Sequence, residues 1–513
     1  MKEMLKKNWA FIIVLTVFVI YYLYRLFAIT PWYDELYTYI NFIDKGALYS
    51  ITHWPAPNNH IFFSFISCLL KVFGEYVTLR GISYLSALGT MILLYTVMKD
   101  ILSEKTAALV VIVYSLFPLV NTIAIQGRGY SLATFFLMLS IYAGYHICFK
   151  KDQRKFYILW AVSLYLGLYT LMSSVYWVLS VCLCFGILLF IFKKWKKLIR
   201  LIVSSIIAAV ATFGSYCIMW MALGGQRLVE VEYPGESVFW TAIRHPRASL
   251  LWGLNFMMND RNMQSIDRSA FIHDFKYFAR DILCNFIGVR SIPATYTVIA
   301  VVLLMLVAFV VAVIFIKKKK SDIENAAILL PLIIGSIGII GIYLCLLVQS
   351  VYPFERVFSF MGIFFVCISG MILYAIKHVI GKLPILKITN ILYPAAYSIA
   401  LVCCVYYISS AGYNNEYSGY DYWALDALEY ADMEDDTAYL AADTYVEQQI
   451  QYHCIIGDKI KLTEDVESPD VIFVLKGRMS GSWPYIISVE EYNALEIEKR
   501  ELIYENEMYC VYE

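Results

Sequence analysis

The sequence predicts an α-helical polytopic membrane protein with about eleven transmembrane helices, followed by a small extracytoplasmic α/β domain. The 513 residues are 60% hydrophobic and 16% charged, with a mean hydropathy of +0.64, whereas a soluble chain of this length needs a more polar surface. Several apolar runs reach the ~18–20 residues that cross a bilayer. Residues 411–513 contain 23 acidic and 6 basic side chains, whereas residues 1–410 contain 18 acidic and 35 basic ones. This asymmetry separates a membrane module from an acidic C-terminal domain.

Eleven apolar runs define the predicted spans. They are 9–29, 81–98, 107–125, 129–149, 156–172, 175–192, 198–221, 294–316, 325–348, 356–376 and 388–410. No small-residue cleavage site follows the first run, so we interpret it as a retained helix rather than a cleaved signal peptide. A shorter run, 61–73, reaches only about 20 Å against roughly 30 Å of hydrocarbon. We therefore predict a helix there that lies on, or dips into, the outer face.

Lysine-rich clusters orient the chain. They occupy the amino terminus and the segments 150–155, 193–197, 317–320 and 377–387, and all five lie on one side only if 61–73 does not cross. The positive-inside rule then places the amino terminus in the cytoplasm and the loops 30–80 and 222–293 outside, together with the domain 411–513. The basic residues sit in short loops and form no nucleic-acid stripe, so no nucleic-acid partner is predicted.

The first outer loop carries the candidate catalytic carboxylates. Asp34 and Glu35 follow the outer end of the first span, where nearby hydrocarbon raises the basicity of a carboxylate unless a cation compensates. The alternative is a solvated acidic pair that ends the helix. His53, Asn59 and His60 belong to a proline-containing stretch in the same loop and offer polar contacts to a substrate.

Three arginines are predicted at the same membrane face, against the positive-inside bias. Arg80 begins the second span, Arg128 lies between glycines before Tyr130, and Arg356 follows Glu355 at the start of the tenth span. The planar guanidinium fork binds phosphate oxygens in pairs. The alternatives are snorkelling toward lipid headgroups and, for the last pair, internal neutralisation by Glu355.

In their order and in their predicted location on one side of the membrane, these motifs resemble those of the GT-C glycosyltransferases. The resemblance is to the bacterial group related to protein O-mannosyltransferases and the aminoarabinose transferase of lipid A. The RgtA/B/C/D-like subgroup is the most similar. The matching features, strongest over 1–200, are Asp34–Glu35, the Pro/His stretch 53–60 with Pro55 and Pro57, the turn Phe73–Gly74 before Arg80, and Arg128 with Tyr130. The usual His-Pro-Pro-Leu core is spread over 53–60, so either His53 or His60 can take the matching role.

This resemblance implies a GT-C-like fold and a reaction at the outer face. The donor is a polyprenyl-phosphate sugar, the acceptor a glycan, lipid or protein, and membrane lipids surround the module. Asp34 acts as the catalytic base, and its neighbour Glu35 orients the loop or contacts the acceptor. Arg128, assisted by Arg356 or Arg80, binds the donor phosphate, and direct displacement inverts the anomeric centre. His53, Asn59, His60, Tyr130 and Glu355 are the expected substrate contacts. No metal or other cofactor is required, although Asp34, Glu35 and the histidines could hold a divalent cation.

Three other functions fit parts of the sequence. A lipid-linked-sugar transporter or flippase predicts charges at mid-membrane and paired broken helices. An O-antigen ligase or polymerase predicts key arginines in one late outer loop, and 222–293 contains Arg244, Arg247, Arg261, Arg268, Arg280 and Arg290. A non-catalytic scaffold would act through its C-terminal domain.

Overall fold

The structure, a computed structural model, describes residues 2–53, 59–150, 152–259, 267–287, 324–380, 419–431, 437–456, 461–462, 469–477 and 484–513, with isolated positions between 293 and 310 and between 398 and 402. The described helices before the C-terminal unit are α1 (Lys2–Ala28), α2 (Tyr33–Thr38), α3 (Ala47–Thr52), α4 (Ile61–Leu69), α5 (Glu75–Ile101), α6 (Glu104–Leu116), α7 (Pro118–Ile125), α8 (Tyr130–Phe149), α9 (Arg154–Thr170), α10 (Val175–Ile191), α11 (Trp195–Val231), α12 (Val238–Arg244), α13 (Pro246–Met258), α14 (Arg268–Ile287), α15 (Leu330–Gln349) and α16 (Met361–Ile380).

The membrane module is a bundle of apolar helices. Within the described ranges, six helices are long and apolar enough to cross a membrane, or seven if α6 and α7 count as one bent span. Helices α1, α5, α6, α8, α10, α15 and α16 share one continuous apolar core. Apart from isolated positions, the predicted spans 294–316 and 388–410 lie outside the described residues. The apolar part of α16, Met361–Ala375, is shorter than a full span. The number eleven therefore stays a prediction, whereas the multi-pass architecture is observed.

The prediction of one continuous helix over 107–125 is wrong, because the helix is broken within this range. Helices α6 and α7 meet at an angle of 77°. Pro118 lacks an N–H and disfavours helical backbone in the residue before it, and Phe117 is accordingly extended, with ψ of 124°. The buried Arg25 on α1 donates to the carbonyl (2.9 Å) and side chain (2.6 Å) of Asn121 just beyond the break.

Two further segments differ in extent from the sequence prediction. The helix predicted at 198–221 continues to Val231, and α12, α13 and α14 occupy much of the predicted loop 222–293. The run 61–73 forms only the nine-residue α4 and a short 3₁₀ turn. At 1.5 Å per residue α4 is about 13 Å long, which is too short to cross a bilayer.

The described parts of the basic clusters gather at one end of the bundle. The start of α1, the end of α5, the loop from α8 to α9 and the start of α11 are linked there by three contacts: Asn8 with Lys99 (2.9 Å), Asp100 with Lys150 (3.4 Å) and Asp152 with Arg200 (2.7 Å). Helix α2 and the residues around it lie at the opposite ends of α1, α5 and α8.

The C-terminal unit is a five-stranded mixed sheet with helices. It comprises α17 (Gly419–Tyr430), β1 (Ala438–Ala441), α18 (Thr444–Ile456), β2 (Lys461–Leu462), β3 (Val471–Leu475), α19 (Val489–Ala494), β4 (Leu502–Glu505) and β5 (Tyr509–Tyr512). The order is β2-β1-β3-β5-β4, parallel across β2, β1 and β3 and antiparallel across β3, β5 and β4. All five residues of β3 are buried, as an apolar run in a central strand predicts. Helices α17 and α18 pack together, and α18 also contacts α2.

Candidate active site

The candidate site is built around α2, the short helix that follows α1. Its first turn is closed by the Trp32 N–H, which donates to Glu35 Oε2 at 2.9 Å. Asp34 and Glu35 are both buried, with 6% and 0% of their surface exposed. Because consecutive helical residues point about 100° apart, the two carboxylates face different partners.

Glu35 is enclosed in a pair with Arg80. Arg80 Nε and Nη2 donate to the two carboxylate oxygens at 2.9 and 2.7 Å, and both side chains are fully buried. The Gly127 N–H donates to the same carboxylate. The remaining three N–H groups of Arg80 donate to the carbonyls of Leu26, Ile29 and Thr30. Since a guanidinium has five N–H groups, this geometry argues against the predicted roles of Arg80 in phosphate binding and Glu35 in catalysis.

Asp34 is paired with Arg356, which lies 322 residues further along the chain. Arg356 Nη2 is 2.9 Å from Asp34 Oδ2, with the side chains 27% and 8% exposed. The guanidinium also lies over the rings of Trp32 (5.6 Å) and Phe354 (4.9 Å). The alternative in which Glu355 neutralises Arg356 is therefore wrong, because the arginine is paired with Asp34. This pair combines a carboxylate and a partly accessible cation.

Arg128 donates hydrogen bonds to α2. Its Nη1 donates to the Asp34 carbonyl at 3.2 Å and to the Thr38 hydroxyl at 2.6 Å, and it is only 1% exposed. The guanidinium thus touches the backbone of the candidate catalytic residue rather than an open surface. Its charge still acts on the site, because interactions between charges are strong where water is excluded.

The turn before α8 holds Arg128 because glycines flank it. A Cβ at Gly127 would lie 2.7 Å from the Leu79 side chain, and one at Gly129 would lie 2.8 Å from Thr170 and 3.0 Å from His60. Neither position has room for a side chain. Ser83 on α5 donates to the carbonyls on both sides, those of Gln126 and Arg128, at 2.6 and 3.1 Å.

His60 joins the same cluster as a neutral imidazole. Its Nδ1 accepts from the Gly129 N–H at 2.7 Å, so its one proton lies on Nε2, 3.4 Å from Arg128 Nη2. Burial, followed by the nearby Arg128 and Arg356, lowers the pKa of His60 well below its usual value. The Tyr130 ring meets the imidazole edge to face at 4.8 Å, and the tyrosine hydroxyl faces Arg356.

His53 and Asn59 lie outside this cluster of contacts. The His53 ring stacks on Tyr49 of its own helix at 3.5 Å. Asn59 donates to the carbonyls of Ser50 and His53 and accepts from the Ser64 hydroxyl, which ties α3 to α4. Of the two histidines in the stretch, the structure therefore brings His60 to the arginines. Residues 54–58, with Pro55 and Pro57, lie outside the described residues.

An apolar pocket opens beside Arg356. It has a volume of about 450 Å³ and is lined by Leu119, Phe278 and Phe354, with Glu355 and Arg356 as its charged side chains. Burial, followed by the charge of Asp281, raises the pKa of Glu355. One guanidinium thus borders both the apolar pocket and Asp34.

The arginines of 222–293 do not converge on a second site within the described part of this segment. Arg244 is paired with Glu236 at 3.3 Å and Arg280 with Asp281 at 2.7 Å, and Arg247 is exposed. Arg261 and Arg290 lie outside the described residues. Likewise, no three His, Cys, Asp or Glu side chains come together as a metal site among the residues searched, and the predicted divalent cation stays a prediction.

Several residues of the site are not predicted by the sequence motifs. Thr38 follows Asp34 by one helical turn and could have been found by that spacing. Trp32 lies two residues before the predicted pair. Asp421 and Tyr445 belong to the acidic C-terminal unit, and nothing in the order of residues indicates that they contact α2.

Comparisons with known proteins bear on the fold. No family model and no curated protein matches the chain. The structure of ArnT from Cupriavidus metallidurans bound to undecaprenyl phosphate is similar with a TM-score of 0.54, 10% sequence identity and 97% of each chain covered. Its apo state gives a TM-score of 0.40 at 11% identity, again over 97% of each chain.

A third solved structure is that of the oligosaccharyltransferase AglB from Archaeoglobus fulgidus, in complex with an inhibitory peptide and a dolichol-phosphate. It has 13% identity and a TM-score of 0.44, covering 86% of this chain and 64% of the archaeal one. The chain therefore has the fold of ArnT, an aminoarabinose transferase of the GT-C type. The predicted resemblance is confirmed at the level of the fold.

Proposed function

We propose that this protein transfers a sugar from a polyprenyl-phosphate donor to an acceptor, at a site formed by Asp34, Arg356 and the Arg128 turn. The fold is that of ArnT, which was solved with undecaprenyl phosphate bound. The proposal therefore assigns the same class of lipid to this chain.

The observation that carries the proposal is that Arg356 contacts both Asp34 and the apolar pocket. One side of its guanidinium pairs with Asp34 at 2.9 Å, and the residue also lines the apolar pocket. A polyprenyl phosphate has an apolar chain that suits the walls formed by Leu119, Phe278 and Phe354, and an anionic headgroup that suits a guanidinium. A donor phosphate at Arg356 would compete with Asp34 for the cation and leave this carboxylate to act on the acceptor.

The transfer then proceeds as one displacement. The acceptor oxygen forms a bond to the anomeric carbon, and the bond from that carbon to the phosphate oxygen breaks. Asp34 takes the hydroxyl proton, while the electron pair of the broken bond leaves with polyprenyl phosphate, stabilised by Arg356 and by the charge of Arg128. A single direct displacement inverts the anomeric centre.

The charge distribution supports an outer-face reaction. The basic ends of α1, α5, α8 and α11 meet at one end of the bundle, and Asp34 lies at the other. Because short basic loops stay in the cytoplasm, the proposed site faces the outside. The C-terminal unit contacts α2 and lies on the same side.

Substitution of Asp34 tests the function. Membranes carrying the wild-type protein or Asp34→Asn are given candidate polyprenyl-phosphate sugars, identified by mass spectrometry of surface glycans and glycolipids with and without the protein. Loss of a general base lowers turnover by about 10²–10⁴-fold. Asp44→Asn is the matched control, since Asp44 lies in the same loop but pairs with the exposed Lys71. Full turnover by Asp34→Asn would exclude Asp34 as the base.

A further inference from the structure

The C-terminal unit contacts α2 at the residues next to Asp34. Asp421 Oδ1 accepts from the Tyr33 N–H at 2.8 Å, and Gln449 Nε2 donates to the Pro31 carbonyl at 3.3 Å. The Tyr445 ring packs against Tyr33 at 4.8 Å. These contacts join α17 and α18 to the first turn of α2.

The hydrogen bond to Asp421 is a helix cap supplied from elsewhere in the chain. The first N–H groups of a helix have no partner within it, and a six-residue helix is unstable alone. Asp421 is 388 residues from Tyr33 and only 5% exposed. Its carboxylate therefore fixes the backbone immediately before Asp34 without touching the Asp34 side chain.

The same unit packs beside the ion pair of Asp34 with Arg356. Tyr445, at the start of α18, packs against Tyr33. Tyr33 immediately precedes Asp34, the carboxylate that lies 2.9 Å from Arg356. A shift of the C-terminal unit would move the helix that carries the carboxylate relative to its cation.

We infer that Asp421 is a positioning residue, through which the C-terminal unit orients Asp34 toward Arg356. The effect on turnover rests on the proposed function, whereas the effect on α2 does not. A cap residue changes helix stability by an amount equivalent to about 2- to 30-fold in an equilibrium constant. Asp421→Ala should therefore lower kcat by a similar factor and leave the KM for the polyprenyl-phosphate sugar unchanged.

The test measures amide hydrogen exchange in the full-length protein in lipid nanodiscs. Asp421→Ala is expected to speed exchange over residues 33–38 while β3 and β5 stay protected. Asp421→Asn keeps a side-chain oxygen as acceptor and should restore both the slow exchange and kcat. Should the alanine variant fail to fold, Asp421→Glu displaces the acceptor by one methylene and should give the same change.

Glu429→Ala is the matched control, because Glu429 is an exposed carboxylate on the same helix as Asp421. It should leave exchange and kcat unchanged. Wild-type exchange over 33–38 in Asp421→Ala, or no rescue by asparagine, would overturn the inference. Full turnover by Asp34→Asn would instead remove the proposed function while the exchange result still decides the role of Asp421.

Discussion

Asp34 and Glu35 are neighbours in sequence, but different arginines hold them. Glu35 is closed off by Arg80, with every donor of that guanidinium committed to the protein. A buried charge left without its partner costs about 3–5 kcal/mol, so these two residues are needed together for the loop to fold. Asp34, in contrast, faces a partly exposed cation. The carboxylate with the more accessible partner is the better candidate for chemistry.

Arg356→Lys tests whether the guanidinium binds the donor phosphate. Lysine keeps the charge but loses the planar fork and the stacking on Trp32 and Phe354. Loss of one charge-assisted hydrogen bond, worth about 1.5–3 kcal/mol, should weaken the binding of undecaprenyl phosphate about tenfold or more. Native mass spectrometry of the purified protein with this lipid measures the affinity.

A matched control for this substitution is Arg244→Lys. Arg244 is an exposed arginine at the end of α12 that is paired with Glu236, so its replacement should not change lipid affinity. Equal affinities for wild type and Arg356→Lys would mean that the phosphate binds elsewhere.

At the scale of elements, the turn 126–130 joins three helices at the site. Gly129 donates to His60 at the start of α4, and Ser83 of α5 binds the carbonyls within the turn. The turn is thus fixed by contacts that a side chain at Gly129 would displace. The sequence predicts a role for the arginine of this turn, whereas the reason for its glycines is apparent only from these contacts.

Gly129→Ala should destabilise the protein and reduce turnover. The added Cβ would meet Thr170 Cγ2 at 2.8 Å and His60 Cβ at 3.0 Å, so His60 must move and its bond from the Gly129 N–H lengthens. Overpacking of this kind costs about 1–3 kcal/mol. The thermal midpoint in detergent measures the loss.

Two further variants test whether the loss of stability in Gly129→Ala comes from the contact with Thr170. Gly186→Ala is the control, since nothing lies within 4 Å of a Cβ there. Thr170→Ser removes the obstructing methyl group but keeps the hydroxyl that donates to the Leu166 carbonyl, and it should partly rescue Gly129→Ala. An unchanged midpoint in Gly129→Ala would show that the turn has more room than the structure gives it.

At the scale of the whole molecule, the C-terminal unit contacts α2 of the membrane module through α18. Asp443 immediately precedes α18 and is fully buried. Its Oδ1 accepts from the N–H groups of Tyr445 and Val446 and from the Tyr509 hydroxyl, and its Oδ2 has no hydrogen-bond partner among the described residues. Burial, despite these bonds and together with the charge of Glu447, raises the pKa of Asp443 to about 7.

This pKa predicts how stability depends on pH. Because the folded-state pKa lies above the unfolded value of 3.8, the folded state holds the proton more tightly. The stabilisation is complete below the unfolded pKa and is lost as the pH rises to about 7, by about 1.4 kcal/mol per pH unit in between. The thermal midpoint of the C-terminal unit in the full-length protein should therefore fall between pH 5 and 7 and level off above.

Asp443→Asn should flatten this profile, because the amide does not titrate in this range. Asp470→Asn, which replaces an exposed carboxylate of the same unit, should leave the slope in place. Parallel profiles for wild type and Asp443→Asn would assign the pH dependence to another group.

The membrane class, most of the described spans and the candidate charged residues could be predicted from the order of residues alone. Helices of the bundle are encoded locally, since an apolar run of sufficient length must become helical in lipid to satisfy its own backbone. The same holds for the shortness of α4 and for the buried strand β3. Charged residues at the helix ends can also be recognised in the sequence, because they interrupt an apolar pattern.

The pairing of these charges, in contrast, is apparent only in the folded protein. Two adjacent carboxylates and three arginines allow several pairings, and the sequence gives no preference between Arg80, Arg128 and Arg356. Packing of α5 against α1 brings Arg80 to Glu35, whereas the segment before α16 brings Arg356 to Asp34. The cap from Asp421 depends in the same way on a unit nearly 400 residues away. Such contacts are set by the relative placement of whole helices, which depends on the packing of side chains throughout the bundle and not on any local pattern of residues.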